Sequence, residues 1–288
     1  MDTILSSKTK TIIISPNHPF IIIGERINPT GRKKLAQELA QGDFSRVRAD
    51  AVAQVEAGAN VLDVNAGVPG ADEPFIMRRA VQEIMEVVDV PLCFDSPNPA
   101  VLDAGLSVYS GKALINSTTG EDAVLERVLP MAKKYGAAVI ALCNDERGPL
   151  QDAQARLDIA RKIVERARDY GIPLNDLIFD PLVMTVGADS NAGRVTLETI
   201  RLLHQELGVN ISAGASNVSF GLPDRPSLNA TFIGMAMTLG LTAAITNPLE
   251  LSVYTAILAA DLFLGHDNYG GRWIKNFRQR EKAKQANG

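Results

Sequence analysis

The sequence predicts an α/β protein made of one (β/α)8 TIM barrel. Three observations predict it. Short β-branched runs alternate with amphipathic helical stretches along the chain. The repeat is roughly 30 residues, enough for a strand, a helix and two loops. No linker, low-complexity segment or composition break divides the 288 residues, an ordinary length for one such barrel. A doubly wound open sheet would need fewer strands and a switch point, and the first strand–turn carries no GxGxxG phosphate loop.

Taken in order, the strands are "FIIIGERIN" (20–28), "VLDVNAG" (61–67), "PLCFDS" (91–96) and "KALINST" (112–118). They continue with "AAVIALCND" (137–145), "LIFDPL" (177–182), "NISAGASNV" (210–218) and "TAAITNP" (242–248). Their near-continuous apolar stretches suit parallel strands covered on both faces. The intervening helices show 3.6-residue periodicity. One aligns Val124, Leu125, Val128, Leu129 and Ala132, another Leu157, Ala160, Val164 and Ala167. Gly136, Gly171 and Gly208 follow helical runs where a left-handed C-cap belongs. The whole chain, 1–288, thus reads as one domain with an N-terminal extension (1–19) and a solvated, frayed tail (275–288). "TIIIS" in the extension suits a small hairpin or a strand covering the barrel base.

With 46% apolar and 22% charged residues, the chain has material for a large core. A net charge of −4 disfavours a nucleic-acid partner. Cys93 and Cys143 sit in apolar runs and read as buried reduced thiols, which suits the cytoplasm. "MDTILSSKTK" lacks the apolar core of a signal peptide. No apolar run reaches the roughly 18–20 residues that span a bilayer, and Asp261 interrupts the best candidate. A soluble protein is expected.

In a barrel of this kind the site forms at the C-terminal ends of the strands. Those ends offer Glu25, Arg26 and Asn28; Asp63 and Asn65; Asp95 and Ser96; and Asn116, Ser117 and Thr118. Next come Asn144 and Asp145, then Asp180 before Pro181, then Ser216 and Asn217, and last Thr246 and Asn247. Helix capping explains Asp and Asn at such places equally well one at a time. It does not explain the whole set, because Asp63, Asp95, Asn116 and Asp180 are not followed directly by a helix.

Other chemistry is scarce at the strand ends. His18, His204 and His266 fall elsewhere, leaving no support for a histidine metal site or a Ser–His triad. No strand-end lysine is available for a Schiff base. Carboxylates on separate strands among amides suit an organic ligand better than Mg²⁺, so no metal is expected. A flat, nitrogen-rich ring such as a pterin fits. Its N3–H and 2-amino group offer paired donors to one carboxylate, and its O4 and ring nitrogens accept from Asn amides.

The motifs "GERIN" (24–28), "LDVNAG" (62–67), "FDS" (94–96), "INST" (115–118), "FDPL" (179–182) and "SNVSFGLPDRPSLNATF" (216–232) occur in order. Together they resemble the pterin-binding methyltransferase family, which includes methyltetrahydrofolate:corrinoid methyltransferases and the folate domain of cobalamin-dependent methionine synthase. The likeness runs over about 21–265 and meets seven strand ends. It implies that Asp95, Asn116 and Asp180 hold the pterin, with Asp63 and Asn65 beside it and Glu25 and Asn28 near the same pocket. It implies that Asn217 hydrogen-bonds N5, the methyl-bearing nitrogen, with Ser216 and Ser219 fixing its amide. Ser219, Arg225 and Asn229 match the loop motif and read equally well as a loop-ordering network. The sixth loop, "MTVGADSNAGRV", departs from the family pattern, which leaves contacts from Asp189 to Arg194 open.

The implied activity is methyl transfer between N5 of tetrahydrofolate and the cobalt of a corrinoid, in either direction. Tetrahydrofolate or 5-methyltetrahydrofolate is then a substrate. The cobalamin arrives on a separate corrinoid protein docking over the barrel mouth, and the family implies a homodimer. Two alternatives remain beside it. Dihydropteroate synthase shares barrel and pterin site, but its relatives carry Arg-x-His at the last strand, where this chain has "ITNP". A non-catalytic pterin- or corrinoid-binding module is the other.

Overall fold

Eight strands of the computed structural model, which describes residues 1–287, close into one parallel barrel. Before it lies an antiparallel hairpin of β1 (Thr3–Ser6) and β2 (Thr11–Ile14). The barrel strands are β3 (Ile21–Ile27), β4 (Val61–Asn65), β5 (Leu92–Asp95), β6 (Leu114–Thr118), β7 (Ala138–Leu142), β8 (Leu177–Asp180), β9 (Asn210–Gly214) and β10 (Ala243–Thr246). Neighbours in sequence are neighbours in the barrel, and β10 pairs with β3 to close it, Ala243 opposite Ile21 and Thr246 opposite Gly24.

The helices form the outer layer: α1 (Lys33–Ala40), α2 (Ser45–Glu56), α3 (Glu73–Val87), α4 (Pro99–Leu106) and α5 (Asp122–Tyr135). They continue with α6 (Ala153–Asp169), α7 (Ala192–Leu202), α8 (Arg225–Thr238), α9 (Leu251–Phe263) and α10 (Gly271–Asn287). No helix among the described residues is long and apolar enough to cross a membrane.

The two-residue period of a strand sorts its side chains between two cores. Ile22, Leu62, Phe94, Ile115, Val139 and Phe179 face outward and pack under the helices. Ile23, Val61, Cys93, Leu114, Ile178 and Ala243 face the barrel interior. There they meet Leu5 and Ile14 of the hairpin, both fully buried, so the extension plugs the barrel base. Asn210 ties the plug in place, its Nδ2 donating to the Ile14 carbonyl at 2.7 Å and to Thr3 Oγ1 at 2.9 Å.

The same parity decides what stands above the plug. Two residues on from Ile23, Val61, Cys93, Leu114 and Ile178 come Glu25, Asp63, Asp95, Asn116 and Asp180, all turned to the interior at its upper end. The fold thereby collects the strand-end carboxylates and amides.

Gly136, Gly171 and Gly208 adopt the left-handed conformation expected after their helices, with φ of +60°, +69° and +60°. Two expectations are corrected. The run 210–218 is not all strand: β9 stops at Gly214 and Ala215–Ser219 forms a 3-10 turn. Along 275–288 the chain is not frayed but helical as α10 through Asn287, with Gly288 outside the described residues. Asp261, which breaks the apolar run of α9, is fully buried. Its carboxylate accepts from the Phe20 backbone N–H at 3.1 Å and from Arg272 at 2.6 Å, pinning α9 and α10 to the entry of β3.

Candidate active site

Asp and Asn at strand ends could have been helix caps, but other residues do that work. Asp72, Asn98 and Asp152 accept the first-turn N–H groups of α3, α4 and α6. The strand-end set is therefore free to face the barrel mouth.

On one side of the mouth Asp63 is buried (2% exposed) and accepts from Asn116 Nδ2 at 3.2 Å. Beside it Asn65 Nδ2 donates to Asp95 at 2.9 Å, and its own oxygen takes the Gly67 N–H at 2.7 Å. Burial pushes the Asp63 carboxyl up to about 8, and the nearby charge of Asp95 adds to it, while Asn116 and Cys93 oppose. Asp95 is also raised by burial, with Asn65 opposing. Both carboxyls are thus held above the usual carboxylate range, chiefly by burial. A cleft of about 220 Å³ opens here, floored by Asp95, Ser96, Asn116 and Ser117 and walled by Pro97, Leu102, Val128 and Met131.

Asp180 ends β8. One carboxylate oxygen accepts the Leu182 N–H at 2.7 Å across a tight turn in which Leu182 has φ of +65°. Burial raises this carboxyl to about 6, against the N–H groups of Leu182 and Gly214 and the charge of Arg156.

On the opposite side Ser216 donates to Glu25 at 2.9 Å. Burial raises Glu25, and this hydrogen bond with the charges of Arg26 and Arg225 holds it back. A second cleft of about 230 Å³ lies here, lined by Glu25, Ser216, Arg225, Asn229, Asn247 and Glu250 among others.

Asn217 is exposed on the 3-10 turn and makes no side-chain hydrogen bond among the described residues. The turn beneath it is held firmly. Arg225 donates to the Ser216 carbonyl at 2.7 Å and to Ser219 Oγ at 3.1 Å, and Ser219 donates to Asn229 at 2.7 Å. The sixth loop braces the same turn, with Val186 N–H to the Val218 carbonyl at 3.0 Å and Thr185 to the Phe220 carbonyl at 2.7 Å. Gly214 leaves room for the amide, since a Cβ there would stand 3.1 Å from Asn217 Nδ2.

The expected site residues thus fall into two groups. Glu25, Asp63, Asn65, Asp95, Asn116, Asp180, Ser216 and Asn217 meet at the mouth. Asn28 and Ser219 serve their own loops: Asn28 accepts the Thr30 N–H at 2.9 Å, and Ser219 is fully buried in the network beneath the turn. Neither serine bonds the Asn217 amide, contrary to expectation, because Ser216 turns to Glu25 and Ser219 to Asn229. Asp189 accepts the Asn191 N–H at 2.8 Å, a local turn before α7. All three histidines line a cleft of about 330 Å³ at the opposite end of the barrel, beside Asp261.

One residue escaped the sequence reading. Arg156 lies fully buried on α6. The available signal was a charge at helical spacing from Ile159, Ala160 and Ile163 on the apolar face.

The family model described as "Pterin binding enzyme" matches residues 24–247, from midway along β3 through the end of β10. The chain belongs to this family. Within it, the chain is 30% identical to methylcorrinoid:tetrahydrofolate methyltransferase of Eubacterium limosum, over 90% of this chain and 96% of that one. It is 29% identical to methionine synthase of Mycobacterium tuberculosis over 86% of this chain, but spans only 22% of that longer protein. Among solved structures, 7,8-dihydropteroate synthase of Vibrio fischeri superposes with a TM-score of 0.68 at 16% identity, covering 91% of this chain and 98% of that one. The Yersinia pestis dihydropteroate synthase bound to a pterine-sulfa conjugate gives 0.67 at 17% identity, with 91% and 99% covered. At such identities the likeness is one of fold. It covers 91% of this chain.

Proposed function

We propose that this enzyme moves a methyl group between N5 of tetrahydrofolate and the cobalt of a corrinoid carried by a separate protein. The observation that carries the reading is the free, exposed amide of Asn217, held on a braced turn above a mouth lined with carboxylates and amides. The relative named for methylcorrinoid and tetrahydrofolate, covered almost end to end, supports the same substrates.

In this reading Asp180 accepts the N3–H and 2-amino donors of the pterin, and Asp95 and Asn116 complete its polar edge. Asp63 and Asn65 keep those two oriented through the hydrogen bonds described. Glu25 and Ser216 stand on the side where the methyl group is exchanged. In the direction of methyl donation, the N5–CH3 bond breaks as the methyl carbon bonds to Co(I), giving methyl-Co(III). The N5 electron pair stays on nitrogen and takes a proton, and the reverse reaction retraces these steps. A tertiary amine leaves poorly without such help. The Asn217 amide supplies a hydrogen bond to N5 that strengthens as charge changes there, while the proton comes from water at the mouth.

The corrinoid protein docks over the mouth, where Phe220 (67% exposed) and Leu249 (49% exposed) offer apolar contact. A second copy of this chain packs on the apolar surface of Phe263, Tyr269, Ile274 and Phe277 at α9 and α10, all exposed. Two buried free thiols fit a cytoplasmic place.

Following the Co(I) absorbance of a corrinoid protein mixed with enzyme and 5-methyltetrahydrofolate tests the reading. Enzyme-dependent loss of the Co(I) band is expected. A silent band together with condensation of a pterin pyrophosphate and 4-aminobenzoate would instead establish dihydropteroate synthase activity.

A further inference from the structure

We infer that Arg156 is a positioning residue for Asp180: a buried guanidinium that brackets the turn carrying this carboxylate and supplies its counter-charge. The inference rests on the proposed pterin site and deepens it.

Arg156 is fully buried, with no carboxylate in salt-bridge distance among the described residues. Burying an unpaired guanidinium is costly, so its surroundings must compensate. They do so in part through backbone carbonyls, while Nη2 is buried without a hydrogen-bond partner among the described residues. Nε donates to the Leu150 carbonyl at 2.7 Å, and Nη1 to those of Pro181 at 2.7 Å and Leu182 at 2.9 Å. Leu150 belongs to the loop before α6, whereas Pro181 and Leu182 directly follow Asp180.

The two carbonyls lie on a turn that is not self-sustaining. Leu182 has φ of +65°, a conformation costing a side-chain-bearing residue on the order of 1–3 kcal/mol unless its surroundings impose it. Arg156 imposes it from below, and Thr196 Oγ1 reaches the Leu182 carbonyl at 3.4 Å. With the turn fixed, the Leu182 N–H points back to one oxygen of Asp180 at 2.7 Å. That fixes the carboxylate plane, as bidentate recognition of a planar donor pair requires.

Charge gives a second, separable effect. The charged and titratable groups facing Asp180 are Arg156 from α6 and the Cys143 thiol following β7, the latter held neutral by burial. Arg156 is thus the only cation among them. Removing it leaves burial as the dominant influence, and Asp180 then protonates at higher pH. A protonated Asp180 no longer accepts both pterin donors.

Arg156→Met removes charge and bracket; Arg156→Lys keeps the charge but loses the fork. Each variant is first checked for a cooperative thermal melt. The Asp180 titration is then read by carbon-13 NMR of labelled aspartate carboxyls, assigned with Asp180→Asn. Tetrahydrofolate affinity is measured across pH by calorimetry. For Arg156→Met, the Asp180 midpoint should rise, and the pH below which folate affinity fades should rise with it. For Arg156→Lys, the midpoint should stay, while affinity above it falls about 3–10-fold from lost orientation. A folded Met variant with an unmoved Asp180 midpoint overturns the inference. If that variant does not fold, a Lys variant with wild-type affinity at every pH overturns it. A wild-type protein that binds no folate rejects the pterin site instead, and the Asp180 titration still decides the role of Arg156.

Discussion

Asp63→Asn removes one ionisable group from the pair behind the mouth and leaves its shape almost unchanged. The Asn116 amide at 3.2 Å still finds an oxygen to donate to. Folding raises the Asp63 carboxyl from 3.8 to about 8. Between those values the folded protein holds a proton that the unfolded chain releases. A raised carboxyl is destabilising once ionised, so wild-type stability falls as pH rises through this window and flattens above about 8. One such proton gives a slope approaching about 1.4 kcal/mol per pH unit, or about 2–3 kcal/mol between pH 5 and 7. Sharing of the proton with Asp95 reduces this figure without changing its sign. The variant lacks the Asp63 share of that slope. Urea unfolding at pH 5, 6 and 7 measures both proteins, and their stabilities should diverge by this amount, the variant gaining relative to wild type as pH rises. Parallel curves would falsify the buried-proton account.

Three other perturbations probe different layers of the molecule. Asn217→Ala should lower kcat about 10²–10³-fold with a milder change in folate affinity, the scale of losing one transition-state donor; steady-state kinetics with near-normal kcat would rule out its role at N5. Asp180→Asn should weaken folate binding by about 1.5–3 kcal/mol in calorimetry, since a charged acceptor becomes a neutral amide, and unchanged affinity would reject the paired contact. Leu5→Ala should cost about 2–5 kcal/mol in urea unfolding because Leu5 is fully buried in the barrel plug, whereas a loss below about 1 kcal/mol would mean the hairpin is not part of the cooperative core.

Much of this was legible in the sequence because the signals were local and periodic. The β-branched runs fixed strand positions to within a few residues, and strand parity followed once Ile23, Val61 and Cys93 were known to face inward. The carboxylates and amides at the mouth were legible for the same reason. Harder to read were features decided by contacts distant in sequence. "GASNVSFG" (214–221) resembles a polar strand end, yet its path is set by Arg225 below and Thr185 beside it, which turn the chain at Ala215. The partners of Ser216 and Ser219 depended on that path, so their expected grip on Asn217 did not form. Arg156 was hidden by the tendency to treat a charge in a helix as surface, and only the carbonyls of the loop after β8 reveal why it is buried.

The plug at the barrel base also bears on how the chain is made. Thr3 and Asn210, which share a hydrogen bond, are 207 residues apart. At about 5–20 residues per second, a ribosome needs roughly 10–40 s to add that length. Throughout that interval the hairpin can form, but its Asn210 anchor does not yet exist. Partners made earlier hold the hairpin meanwhile, such as Lys112, whose carbonyl accepts the Ser6 N–H at 3.1 Å. The barrel floor gains its Asn210 hydrogen bonds only when β9 emerges.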